Sequence, residues 1–349
     1  MTTTEDEFQV LVGVFASRGN KVLEIEIIPS SHGAPFLQDG LSIGVTKKAL
    51  ASALVVARRL FFTRLLPMSE DDLYADVIKR EPETTSASNH IITEIMLLFD
   101  CEHLTACNWR KRWLQAAIMH CERNFLDEMF NKELSLLQTY QCSPLHRHTK
   151  SPTLWSHRLW VLNAMVGLQK PAPPALGKLG RAELDIVLRA GELHPKNYYA
   201  FTYMRNLHLF LVDVAKAHGT PVPSSIAEAM LEPTLNWCLS NPRDISGWMF
   251  EKYLLEYCPD LSTRAGIVRR VLRFALDVRW EGESLWTFID QTTKRFDLEQ
   301  IVEEALKRAP AQMESDSPQD RQKPWQKRLD RARAYWTMPG GPEHSQQPV

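Results

Sequence analysis

Apolar and polar positions change their period once along this chain. Between residues 22 and 28, Val22, Leu23, Ile25, Ile27 and Ile28 interleave with Glu24 and Glu26. That is the two-residue period of a short extended segment. Gly33, Pro35 and Gly40 then mark a loop. From Thr46 the period becomes helical: Leu50, Leu54, Ala57 and Phe61 fall at i, i+4, i+7 and i+11, on one face. This pattern persists to about Arg308, with breaks where proline removes an amide donor. The breaks are Glu81-Pro82, Ser143-Pro144, Ser151-Pro152, Pro171–Pro174, His194-Pro195, Pro221–Pro223, Asn241-Pro242 and Cys258-Pro259.

The pattern predicts an N-terminal segment with a short strand (1–45), a helical-repeat domain (46–308), a polar linker (309–323), a last helix (324–338) and a disordered tail (339–349). The fold class is all-α, a superhelical crescent of helical hairpins.

Within the helical region one short pattern recurs. Trp155-Ser156-His157-Arg158-Leu159-Trp160 has the form W-x-x-R-x-W. Related windows are led by Cys107 (with Arg110 three later), Phe201 in Pro195-Lys196-Asn197-Tyr198-Tyr199-Ala200-Phe201, Trp248 after Asp244-Ile245-Ser246-Gly247, and Trp286 after Glu283-Ser284-Leu285. The lead positions are 48, 46, 47 and 38 residues apart, the length of a helical hairpin plus variable loops. The lead aromatic is expected to pack inward. An arginine three residues on lies beside it, able to stack on an indole or tie down a neighbouring turn.

These blocks resemble the P-x-N-Y-x-x-W-x-x-R repeats of protein prenyltransferase α subunits, most closely the subgroup of prenyltransferase α-subunit repeat-containing proteins. The resemblance covers about residues 90 to 300. It departs from the pattern at Cys107, at Phe201, at Met204 in place of arginine and at Glu251 in the same place after Trp248. The resemblance implies one half of a heterodimeric enzyme that joins a prenyl group, preferably geranylgeranyl, to a protein cysteine. A partner β subunit would supply the catalytic zinc, the isoprenoid cavity and most contacts to the substrate protein. It also implies that Lys196 points into the shared site and helps neutralise the leaving diphosphate, with Tyr198 beside it. A solvated lysine at a helix start is the competing reading of Lys196, and packing that of Tyr198. Arg110, Trp155, Arg158, Trp160, Asn197, Phe201, Trp248 and Trp286 are read as scaffold. The rival function is a non-catalytic helical-repeat adaptor, which the replaced arginines at 204 and 251 favour slightly.

Charge and composition narrow the alternatives. The 349 residues carry 41 basic and 42 acidic side chains, a net charge of -1, which argues against binding nucleic acid or anionic membrane through gross charge. An apolar content of 44% suits a folded chain. The six cysteines form no C-x-x-C pair, the N-terminus lacks the features of a secretory signal, and no C-terminal prenylation box is present. Free thiols and a cytoplasmic location are expected. Two Cys/His groups, Cys101/His103/His120/Cys121 and Cys142/His146/His148, lack zinc-site spacing, so no metal is expected in this chain. Ser69-Glu70-Asp71-Asp72 with Asp76 is one residue short of the D-D-x-x-D diphosphate motif, because Ala75 holds the fifth position. Helix capping by Ser69 accounts for it. No nucleotide-binding, serine-hydrolase or metalloprotease signature is present.

Overall fold

The first hydrogen-bonded element is a helix, which the N-terminal pattern did not announce. The computed structural model describes residues 4–78, 88–217, 224–307 and 324–337. In that first helix, α1 (Thr4–Ser17), Phe8, Leu11, Val14 and Phe15 are buried. Three strands follow: β1 (Glu24–Ile28), β2 (Phe36–Asp39) and β3 (Ser42–Thr46), in the order β1-β3-β2. β1 runs parallel to β3, and β2 antiparallel to it. The strand expected at 22–28 is therefore one of three, and part of the expected loop pairs as β2. Gly40 sits at φ 58 in the two-residue turn between β2 and β3, a position that demands a positive φ. The open edge of β1 is closed by side-chain hydroxyls: Leu23 N donates to Thr139 Oγ1 (3.0 Å) and Ile25 N to Ser143 Oγ (2.9 Å).

The rest of the described chain is helical: α2 (Lys47–Leu60), a π-helical turn (Phe61–Leu65), α3 (Glu70–Ile78), α4 (Asn89–Phe99), α5 (Leu104–His120), α6 (Arg123–Gln141), α7 (His146–Thr149), α8 (Pro152–Gln169), α9 (Pro173–Leu193), α10 (Tyr198–Ala217), α11 (Ser224–Ser240), α12 (Ile245–Glu256), α13 (Leu261–Asp277), α14 (Glu283–Arg295), α15 (Glu299–Lys307) and α16 (Pro324–Thr337). The architecture is an all-α helical repeat with one small sheet near its N-terminus. The Ser69 cap forms as expected. Asp72 N donates to Ser69 Oγ (3.2 Å), while Ser69 N donates back to Asp72 Oδ2 (2.9 Å). Pro233 lies inside α11, which runs on through it. The expected breaks at Glu81-Pro82 and Pro221–Pro223, the linker and the tail lie outside the described residues.

The chain separates into two compact units: Met1–Ala172 with Ala182–Phe210, and Pro173–Arg181 with Leu211–Val349. α9 and α10 contribute residues to both. In the first unit α1, α2 and α4 share a core with α5 and α6 through Phe8, Leu11, Ala53, Ala57, Ile95 and Tyr140. In the second, α11 approaches α12 so closely that a Cβ on Gly247 would lie 2.5 Å from the Trp237 ring. Glycine is required there, which explains the D-I-S-G-W spelling. No described helix is long and apolar enough to cross a membrane.

Candidate functional site

The recurring unit has a fixed internal geometry. Each lead residue (Cys107, Trp155, Phe201, Trp248, Trp286) follows by four the residue that starts its helix: His103, Ser151, Asn197, Asp244 and Gly282. The first four of these caps accept a backbone N–H of the helix's first turn through a side-chain atom. The lead residues are at most 3% exposed. Trp155, Trp248 and Trp286 each donate their indole N–H to the carbonyl six residues earlier: Thr149 O (2.8 Å), Pro242 O (3.1 Å) and Trp280 O (2.8 Å). The indole thus satisfies a loop carbonyl while its rings fill the core.

Units without an indole satisfy that carbonyl differently. Cys107 cannot reach Cys101 O, which instead accepts from the cap hydroxyl of the next unit, Ser151 Oγ (3.2 Å). Phe201 cannot bond Pro195 O, and there the Lys150 ammonium donates (2.9 Å). Asn197 does two things at once: its Oδ1 accepts from Ala200 N (3.2 Å) and its Nδ2 donates to Thr149 O (2.8 Å). The amide does with two atoms what the Ser151 hydroxyl does with one, capping its own helix and donating to a loop carbonyl.

The arginines act by pairing. Arg110 lies bidentate on Glu133 (Nε–Oε1 2.8 Å) and also donates to His90 O and Thr93 Oγ1. Arg158 lies bidentate on Glu183 (2.7 and 2.8 Å) and donates to Leu134 O. Both pairs are nearly fully buried. Burial alone would raise the Glu133 carboxyl, but Arg110 and His157 hold it well below the usual range. Met204, where arginine is replaced, is buried and needs no counter-charge. Glu251 is different: it is fully buried, and neither carboxylate oxygen has a hydrogen-bond partner. Burial, then the charge of Glu232, pushes its pKa far up against the pull of Arg270. The replaced arginines therefore lie in the interior and carry no information about a partner surface, so they do not favour the adaptor.

Lys196 and Tyr198 stand on the turn between α9 and α10. Asn197 is completely buried, whereas Lys196 is exposed and Tyr198 and Tyr199 are 58% and 50% exposed. Lys196 adopts a left-handed backbone (φ 61), as do Lys170, Arg279 and Asp297 at other helix ends. The conformation is turn geometry, and it lifts Lys196 off the start of α10. Both ends of the turn are fixed, by Lys150 on Pro195 O and by Asn197 on Thr149 O. The His146 and His194 rings meet edge to face beside it, with centroids 4.9 Å apart. The result is a basic and aromatic patch at a helix N-terminus, suited to an anion. Trp160, the last scaffold residue, is half-buried, stacked on His157 and under Lys111.

The cysteine and histidine groups disperse. His103 caps α5, His120 lies on Tyr74, His148 bonds Leu97 O, and all six cysteines are free thiols. Among the described residues no three His, Cys, Asp or Glu side chains are arranged to hold a metal ion. Glu133, Glu183 and Lys150 are the residues that sequence reasoning missed. The signal was present as an acid 23 or 25 residues after each repeat arginine.

Residues 181–211, which run from the Glu183 helix through the Lys196 turn into α10, match the protein prenyltransferase alpha subunit repeat. The protein prenyltransferase alpha subunit repeat-containing protein 1 of Danio rerio is 26% identical over 181 residues, covering 47% of this chain and 37% of that protein. The match thus spans little more than a third of the relative's length. The chain is thus similar to protein prenyltransferase alpha subunit repeats in the segment that carries the Lys196 turn, and to a repeat-containing relative over about half of its length.

Proposed function

We propose that this chain is the α subunit of a cytoplasmic, heterodimeric protein prenyltransferase. The observation that carries the reading is the pinned Lys196 turn inside the segment that matches the family repeat. In prenyl transfer a cysteine thiolate attacks C1 of the prenyl diphosphate. The C–O bond breaks, a thioether forms, and diphosphate leaves with the bonding electron pair. Negative charge grows on the leaving group, so donors fixed in advance stabilise the transition state more than the ground state. Lys196 supplies an ammonium at the mouth of the site, and the positive end of the α10 dipole adds to its field. Tyr198 contributes a phenol O–H beside it. On this reading a β subunit supplies zinc and the lipid cavity. Geranylgeranyl is the preferred donor.

Reconstitution with a prenyltransferase β subunit tests the reading. The heterodimer should transfer labelled geranylgeranyl to a cysteine-bearing protein. Lys196→Ala should lower kcat by roughly 10²-fold, in line with loss of one preorganised donor, with little change in KM. Unchanged turnover removes Lys196 from the reaction. A chain that assembles with no β subunit leaves the adaptor as the function.

A further inference from the structure

The turn that carries Lys196 is gripped by a single dipeptide of the preceding repeat unit. Thr149 O accepts from Asn197 Nδ2 (2.8 Å), and Lys150 Nζ donates to Pro195 O (2.9 Å). These two bonds hold the residues on either side of Lys196. The dipeptide is itself held. Thr149 is fully buried and its carbonyl also accepts from the Trp155 indole (2.8 Å), while Ser151, 1% exposed, is tied to Cys101 O (3.2 Å). Lys196 sits in the left-handed region (φ 61), a conformation that costs an L residue free energy. With the bond at Pro195 gone, the 195–196 segment can swing about Asn197 and relieve that cost. The ammonium then leaves its place.

The bond to Pro195 O also departs from the repeat plan. Where tryptophan leads a unit, its own indole holds the carbonyl six residues earlier. Phe201 has no such donor, so in the unit that carries Lys196 a half-buried ammonium from the neighbouring unit holds that carbonyl instead. We propose, on the basis of the prenyltransferase reading, that Lys150 is a positioning residue for Lys196: it fixes the Pro195 carbonyl so that the Lys196 ammonium faces the leaving diphosphate. Lys150 acts through the turn and not on the substrate. A misplacement of about 1 Å can cost on the order of 10²-fold in rate, so losing one of two anchors is visible in kcat.

A double-mutant cycle in the reconstituted heterodimer tests this. Lys150→Met, which keeps the stem and removes the donor, should lower kcat on the order of tenfold with KM changed less than about twofold. In a Lys196→Ala background the same change should cost less than about twofold, because nothing is left to position. In the free chain, amide exchange at Tyr198, whose N–H bonds Lys196 O (3.1 Å), should quicken in Lys150→Met. Lys150→Met at the parental kcat, an equal loss with and without Lys196, or unchanged exchange at Tyr198 overturns the proposal; the equal loss would mean that the Lys150 charge acts on the diphosphate directly. A parent heterodimer that transfers nothing, or Lys196→Ala as fast as the parent, ends the enzyme reading and this inference with it. A slow Lys196→Ala beside a fast Lys150→Met ends this inference alone.

Discussion

Asn197 shows how much one side chain can be asked to do. It caps α10 through Oδ1 and ties down Thr149 O through Nδ2. Asparagine and aspartate are about equal as helix caps, and loss of a cap costs about 0.5–2 kcal/mol. Here the two part company, because a carboxylate cannot donate to Thr149 O. Asn197→Asp should destabilise at least as much as Asn197→Ala in urea unfolding; a harmless Asn197→Asp would mean that the Nδ2 bond contributes nothing. Glu251 makes a prediction of opposite sign. Its folded-state pKa is raised, so its contribution to stability is fully present below the unfolded value of about 4.3 and is lost as pH rises towards the folded pKa. Between pH 5 and pH 8 the Glu251 contribution should fall, against the rise that the lowered pKa values of His90, His148, His157 and His208 impose on parent and variant alike. Glu251→Gln should lose that falling component, so the variant gains stability relative to the parent as pH rises to 7. A slope identical in both proteins would assign it to other groups. Neither role was legible in advance. The lead aromatics could be read because type and spacing repeat, but a buried acid and a surface acid look alike in a sequence.

At the scale of elements, the repeat arginine links one hairpin to the next. Arg158 and Glu183 lie on α8 and α9, and Tyr203 of α10 adds a hydroxyl to the same carboxylate. Removing one member strands the other in the core. Arg158→Met should therefore cost about 3–5 kcal/mol, while Arg158→Met with Glu183→Leu should recover most of the loss. A double-mutant cycle reads this directly; additive costs would show that the pair is not coupled. The helical hairpins were legible because their 3.6-residue period is sustained and their ends carry proline, serine, asparagine or aspartate. α1 was not, since its first turn is acidic and polar and its burial depends on α2 and α4. β2 was hidden because Phe36–Asp39 is too short to show alternation, and its pairing with β3 depends on the turn at Gly40.

On the scale of the whole molecule, the chain divides into two compact units, a grouping that helical periodicity could not announce because it says nothing about which hairpins share a core. The Lys196 turn belongs entirely to the first unit. The candidate site was legible as a motif, whereas the bonds that pin it were not, because Lys150 and Pro195 are 45 residues apart. A surface lysine on a fixed turn, with two exposed tyrosines beside it, is the feature on which the proposed half-site rests. The measurement that tests this most directly is light scattering of the purified chain mixed with a prenyltransferase β subunit, followed by assay of the eluted peak with labelled geranylgeranyl diphosphate. The account predicts a one-to-one complex that transfers the label to protein cysteine. A chain that elutes alone, or a complex that transfers nothing, would contradict it.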